Sequence, residues 1–166
     1  MRVISFLTWL EQSALGHLVR DSGPWTYPVV NLAHIFGIAA LFGSVLIIDL
    51  TLLGIGRSRS PASLAAIADA ASPVAAAGFL LAAGSGIGLL ASNGTEYAGN
   101  PFFLVKFPAI ALGLTNAIVV NRSSAWRALR AGAATPSDRR WLRGMAVVSV
   151  VCWTSAIGAG RMIGYW

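Results

Sequence analysis

Charged residues are scarce in this sequence of 166 residues. Only 11% of them are Asp, Glu, Lys or Arg, whereas 56% are hydrophobic. A soluble domain carries about 25% charged residues, so the composition excludes that class and indicates a membrane protein. The net charge of +6 comes from twelve basic and six acidic residues. Because most of the basic residues lie in two short segments between apolar runs, we expect them to report membrane topology, with no nucleic-acid partner.

Cysteine and catalytic motifs are also nearly absent. Cys152 is the only cysteine, which excludes an intrachain disulfide and a CxxC site. The sequence contains no HExxH motif, no GxSxG motif and no phosphate-binding loop. It therefore carries no catalytic signature, and we expect a protein that is not an enzyme on its own.

Four apolar runs dominate the chain, at residues 29–53, 73–91, 102–120 and 144–163. A helix of about 20 apolar residues crosses a bilayer. We therefore predict an all-α integral membrane four-helix bundle in contact with lipid. No repeat or domain boundary interrupts the chain, so residues 1–166 are predicted to form a single membrane domain. The sequence leaves two alternatives for assembly, a homo-oligomer and a larger membrane complex.

An amphipathic helix is predicted over residues 3–20, before the first span. Its apolar residues recur at helical spacing from Val3 to Leu18, which favours a helix lying in the membrane interface. The segment does not resemble a signal peptide, because Glu11 ends a short apolar stretch and no small-residue cleavage pattern follows. We expect it to belong to the mature protein.

Arginine is distributed unevenly between the loops. Eight of the twelve basic residues lie in the first and third loops between spans: Arg57, Arg59, Arg122, Arg127, Arg130, Arg139, Arg140 and Arg143. Residues 92–100 contain no Lys or Arg. The positive-inside rule therefore predicts a bacterial inner-membrane protein with both termini in the periplasm.

Four ionisable residues lie inside the spans: His34, Asp49, Lys106 and Arg161. Such residues are costly in a bilayer, so each is a functional hypothesis. His34, Lys106 and Arg161 fall in the outer third and are predicted to line an outward-facing pocket for an anionic head group, a haem propionate or a quinone. The alternative for Lys106 and Arg161 is that they extend to the lipid phosphates.

His34 is too short to reach the membrane surface. It is predicted to bind haem iron, copper or a quinone, or to hydrogen-bond to another span. His17 lies near the apolar face of the N-terminal helix. If that helix folds over the outer end of the bundle, His17 and His34 could together form a bis-histidine site for haem b.

Two further features favour contact between helices. Asp49 is placed near the cytoplasmic end of the first span, and Asn116 lies at a similar depth; we predict a polar lock between helices there, with a proton or cation site as the alternative. Gly78, Ala82 and Gly86 form a stripe of small residues that allows two helix backbones to approach closely.

The order of four segments resembles a family of uncharacterised four-span bacterial inner-membrane proteins (a domain of unknown function) and, more loosely, proteins of the copper-resistance-D type. The segments are Tyr27-Pro28 with Asn31–Gly37, Asp49-Leu50 with Leu53-Gly54, Asn100–Phe103 with Lys106, and Trp153 with Gly160–Tyr165. The first resemblance implies a four-span fold and a location in the bacterial inner membrane. The second implies copper handling, for which Met145 and Met162 are too few and too far apart to form a path.

The leading hypothesis is therefore a small inner-membrane binding protein or redox-associated subunit with an outward-facing pocket for haem, quinone or a lipid-like ligand. A permease for a small solute or copper is an alternative, and with four short spans it would need to dimerise. A structural accessory subunit of a larger membrane complex is the third hypothesis.

Overall fold

The computed structural model describes residues 2–55 and 60–165, so Arg57 and Arg59 lie outside the described residues. Seven α-helices are present in this part of the chain: α1 (Arg2–Glu11), α2 (Ala14–Asp21), α3 (Thr26–Leu53), α4 (Pro61–Asn93), α5 (Phe103–Arg122), α6 (Ser124–Arg130) and α7 (Pro136–Met162). Short 3₁₀ helices follow α4 and α7, at Gly94–Tyr97 and Ile163–Tyr165. The described ranges contain no strand, which confirms the all-α prediction.

Four of these helices, α3, α4, α5 and α7, are long and apolar enough to cross a membrane. Few of their residues are buried, with 11% of an 18-residue apolar window buried in α5 and 33% in α7. Many of their large apolar side chains are exposed. Exposed apolar surface on this scale is stable in lipid and unstable in water. The chain is therefore a multi-pass membrane protein with an N-terminal helical segment before the first span.

The second and fourth of these helices begin well before the apolar runs at 73 and 144. α4 begins at Pro61, where the Ser60 hydroxyl accepts a hydrogen bond from the Ser63 amide. α7 begins at Pro136, behind a capping box formed by Thr135 and Asp138. Proline at the first position and a hydroxyl cap fix helix starts. Hydropathy marks only the part of a helix that lipid surrounds, so it missed these polar first turns.

The N-terminal segment forms two helices, which corrects the prediction of one helix over residues 3–20. α1 ends at Glu11, and the Ser13 hydroxyl caps α2 by accepting from the Gly16 amide at 3.3 Å. A serine that satisfies a free amide in this way favours a helix start over continuation of the preceding helix.

The chain divides into two compact units. The first contains the described residues of 1–41 and 76–100, and the second those of 42–75 and 101–166. Helices α3 and α4 contribute residues to both units. Each unit has its own packing.

In the first unit, α3 and α4 touch backbone to backbone. A Cβ atom added to Gly37 would lie 2.5 Å from the Ala82 nitrogen, and one added to Gly78 would lie 2.5 Å from the Leu41 nitrogen. Such distances leave no space for a side chain at either glycine. The prediction that the small-residue stripe allows close helix packing is thus confirmed.

The N-terminal helices of the first unit dock on the end of α4. The Glu11 carboxylate accepts hydrogen bonds from the Thr95 amide at 2.5 Å and from the Thr95 hydroxyl at 2.9 Å. The Gly16 backbone lies against the Ala91 carbonyl, where a Cβ would approach within 2.7 Å. Val19 is buried at 4% exposure and faces Gly88. These contacts fix α1 and α2 to one end of α4.

The core of the second unit lies where α4, α6 and α7 meet. It contains Leu64, Ala68, Ala125, Trp126, Leu129 and Leu142, with Leu142 fully buried. An ion pair between Asp69 of α4 and Arg130 of α6 borders this core. The segment between the third and fourth spans is therefore an ordered part of the fold, although hydropathy gave no indication of it.

Candidate functional site

His34 joins α3 to α4 in the first unit. Its Nδ1 lies 2.8 Å from the Ala82 carbonyl oxygen and 3.2 Å from the Ser85 hydroxyl. Because a carbonyl oxygen only accepts, Nδ1 carries the proton and donates to Ala82. The ring rests on Gly86, where a Cβ would come within 3.0 Å of the His34 Cε1. The glycine thus provides the space that the imidazole occupies.

His17 has different partners, on α2. Its Nδ1 lies 2.8 Å from the Asp21 carboxylate, and Arg20 lies beside the same carboxylate at 3.4 Å. The hydrogen bond from His17, followed by the charge of Arg20, lowers the pKa of Asp21 below its ordinary value. The side chain of His17 is exposed at 56%. The structure therefore gives His17 and His34 separate hydrogen-bond partners.

Lys106 lies in the first turn of α5 in the second unit and extends across α7. Its Cε and Nζ atoms are each 3.7 Å from the position that a Gly160 Cβ would occupy. The lysine is half-buried. Within residues 2–55 and 60–165, its ammonium group makes no hydrogen bond and no ion pair. A cation held against a neighbouring helix without an acceptor is a chemical feature that requires an explanation.

Arg161 follows Gly160 directly and is exposed. Its guanidinium donates to the Tyr165 hydroxyl and lies 4.7 Å from the centre of the Tyr165 ring. The tyrosine orients the arginine through both contacts, and neither contact neutralises its charge. Lys106 thus lies beside Gly160, the residue that directly precedes Arg161 in α7.

Two polar side chains of the second unit face the middle of α7. Asp49 is buried at 5% exposure, and the Ser149 hydroxyl is its hydrogen-bonding neighbour. Its Oδ2 atom has no hydrogen-bond partner in the described part of the chain. The Asn116 amide donates to the Met145 carbonyl at 3.2 Å. Asp49 and Asn116 therefore contact α7 one turn apart.

The predicted site residues belong to different units. His17 and His34 lie in the first unit, and Lys106, Arg161, Asp49 and Asn116 lie in the second. A common pocket for His34, Lys106 and Arg161 stays a prediction. Among the described residues, no group of three or more His, Cys, Asp or Glu side chains could hold a metal ion.

A family described as a family of unknown function (DUF6644) matches residues 6–166. The chain belongs to this family. The resemblance to an uncharacterised family is thereby confirmed over nearly the whole chain. No curated protein and no solved structure matches. The looser resemblance to the copper-resistance-D type stays a prediction. The same holds for the location in a bacterial inner membrane and for the permease and accessory-subunit hypotheses.

Sequence reasoning identified the charged residues of this DUF6644 member but not their neighbours. Ser149 and Ser85 carry no signal that separates them from other small residues in apolar helices. Gly160 belongs to the fourth segment of the family resemblance, but nothing there indicated its contact with Lys106. Gly160 and Ser85 could have been selected only by asking which small residues lie at the same depth as Lys106 and His34. That question has several answers until the rotation of each helix is known.

Proposed function

We propose that this chain is a small membrane binding protein that holds the anionic group of an amphiphilic ligand at Lys106. The half-burial of Lys106 without an acceptor in the described part of the chain carries the proposal. An ammonium group at membrane depth is costly unless a counter-charge lies beside it. Since the described residues provide no such charge, a ligand phosphate or carboxylate would provide it.

The position of Lys106 fits the depth of a lipid head group. It lies three residues after the start of α5, which is about 5 Å along the helix axis at ~1.5 Å per residue. Arg161 is the second cation, one residue from the end of α7. A phosphate or carboxylate between them would receive charge-assisted hydrogen bonds from both.

The alternative for Lys106 is simple extension to the lipid phosphates, which needs no specific ligand. The contact with Gly160 favours the binding site, because the lysine stem crosses to the neighbouring helix. The arginine distribution supports a periplasmic position for this end of α5, in a bacterial inner membrane. The site would then face the outer leaflet.

Native mass spectrometry of the detergent-purified protein tests the proposal. We expect wild type to retain a co-purified amphiphile that Lys106→Met loses, because methionine keeps the stem and removes the charge. The matched control is Arg122→Gln, which removes one positive charge at the other end of α5 and should retain the amphiphile. Equal retention by all three proteins, or no bound amphiphile in wild type, would refute the proposal.

A second candidate function is haem b or quinone binding at His34. The observation that favours it is the hydrogen bond from Nδ1 to the Ala82 carbonyl. Histidines that bind metal usually donate their other ring nitrogen to such an acceptor, which fixes the tautomer. The same bond also serves a purely structural role between α3 and α4.

An absorbance spectrum and a quinone extraction distinguish these roles. Haem binding predicts a Soret band that disappears in His34→Ala and persists in His17→Ala. Quinone binding predicts that a quinone is extracted from wild type and from His17→Ala but not from His34→Ala. A structural role predicts neither signal and a lower melting temperature for His34→Ala. Absence of both signals from wild type would exclude the redox function.

A further inference from the structure

A second cationic feature lies in the second unit, at the start of α7 and far along that helix from Lys106. A cleft of about 420 Å³ is lined by the end of α3, the start of α4, Leu129 of α6 and the first turns of α7. Binding sites for small ligands have volumes of about 300–1,000 Å³, so the cleft is large enough for one. Arg139 and Arg143 line it from α7.

The two arginines are four residues apart and therefore lie on one face of α7. Neither side chain makes a hydrogen bond or an ion pair within the described residues. Two described carboxylates at this end have other partners, since Asp69 pairs with Arg130 and Asp138 caps α7 with Thr135. The third, Asp49, is buried in the helix packing beside Ser149 and does not line the cleft. In the described part of the chain, no carboxylate pairs with either of these two arginines.

The other lining residues include both apolar and polar side chains. Leu64, Leu129 and Leu142 line the cleft and are buried. The Ser60 hydroxyl at the start of α4 also lines the cleft. At the end of α3, the Thr51 carbonyl accepts a hydrogen bond from the Gly54 amide, so this acceptor is satisfied within the chain. Two arginines beside a serine and three leucines suit a phosphate group attached to an apolar or glycerol moiety.

We infer that this cleft binds a phosphate group through Arg139 and Arg143. Arginine binds phosphate oxygens with two parallel N–H donors, and basic pockets between membrane helices bind anionic lipid head groups. The phosphate could belong to an anionic phospholipid of the leaflet on this side or to a soluble phosphate compound. This site is separate from the site proposed at Lys106, and either can fail without the other.

Binding of dihexanoyl-phosphatidylglycerol to the purified full-length protein in detergent tests the inference. Each arginine near a membrane surface contributes about a fivefold change in affinity. We therefore expect the double variant Arg139→Gln/Arg143→Gln to weaken the apparent dissociation constant about thirtyfold. The matched control is Arg127→Gln/Arg140→Gln, which removes the same charge from exposed residues that do not line the cleft.

The source of the phosphate is decided by parallel titrations with inorganic phosphate and with dihexanoyl-phosphatidylcholine. Preference for phosphatidylglycerol over both supports a lipid site, whereas equal binding of inorganic phosphate, lost in the same double variant, supports a soluble phosphate. If the double glutamine variant fails to fold, Arg139→Lys/Arg143→Lys replaces it and should lose part of the affinity. Equal weakening by the control pair, or no binding of any phosphate, overturns the inference.

Discussion

The close contact of α3 and α4 in the first unit predicts a large effect of one methyl group. Gly78→Ala places a Cβ atom 2.5 Å from the Leu41 nitrogen and 2.8 Å from the Gly37 carbonyl oxygen. Both neighbours are backbone atoms, so no side-chain rotation relieves the clash. Ordinary van der Waals contact begins at 3.4 Å. The two helix backbones must therefore separate by about 1 Å locally.

The change in stability caused by Gly78→Ala follows from two opposing effects. Overpacking of a tightly packed interface costs about 1–3 kcal/mol. Alanine in place of glycine within a helix stabilises by about 1 kcal/mol. Gly84 of the same helix isolates the second effect, because a Cβ there meets nothing within 4 Å. We therefore expect Gly78→Ala to be less stable than Gly84→Ala by about 1–3 kcal/mol, the overpacking cost alone.

Thermal unfolding in detergent, followed by helical circular dichroism, measures this difference. For a chain of this length, 1 kcal/mol corresponds to about 2–4 °C. Gly78→Ala should thus melt about 2–12 °C below Gly84→Ala. Gly37→Ala, which meets the Ala82 nitrogen at 2.5 Å, should behave like Gly78→Ala. If Gly78→Ala melts with Gly84→Ala, α3 and α4 are not in backbone contact and the packing argument is wrong.

Three further predictions test contacts in the two units. The pKa of Asp21 is lowered in the folded protein, so the ionised carboxylate stabilises the fold above its ordinary pKa. This stabilisation is lost as the pH falls through the pKa of the folded state. His17→Ala should raise the pKa of Asp21 in a carbon-13 NMR titration, and an unchanged pKa would contradict the hydrogen bond. A double-mutant cycle between Asp69 and Arg130 should give a coupling of about 0.2–1 kcal/mol, because the pair is half-exposed; a value near zero would show that the ion pair is not populated. Asn116→Ala should lower the free energy of unfolding by about 0.5–1.5 kcal/mol through loss of its bond to α7, and a neutral result would argue against that bond.

Hydropathy predicted the four long helices because crossing a bilayer requires a long apolar run, and such runs are rare elsewhere. The stripe at Gly78, Ala82 and Gly86 predicted a close helix contact because only small residues permit one. Both predictions rest on requirements that concern one segment at a time, namely the length of its apolar run or the size of its side chains. The sequence of that segment is enough to recognise them.

The partners of the polar residues depend on contacts between distant segments. Hydrophobic periodicity normally reveals the buried face of a helix, but a helix in lipid is apolar on every side. The rotations of α5 and α7 were therefore undetermined, and with them the contacts of Lys106 with Gly160 and of Asp49 with Ser149. The early start of α4 at Pro61 was missed for another reason, since caps act over a few polar residues that hydropathy excludes from the span.

The polar contacts of the second unit converge on α7. Asp49, Asn116 and Lys106 come from α3 and α5, and they meet α7 at Ser149, at the Met145 carbonyl and at Gly160. At 100° per residue, those three positions of α7 fall within about 60° of one another. One face of α7 thus receives every one of these three contacts.

The opposite face of α7 carries Val147 and Val151, which are 50% and 58% exposed. Apolar side chains there could face lipid at many rotations of the helix, because lipid contact is not directional. The hydrogen bonds and the close Lys106 contact are directional. Rotation of α7 by one residue would therefore break the contacts at Met145, Ser149 and Gly160 together. These polar groups therefore restrict the rotation of α7, together with the buried apolar residues of the same face such as Leu142 and Trp153.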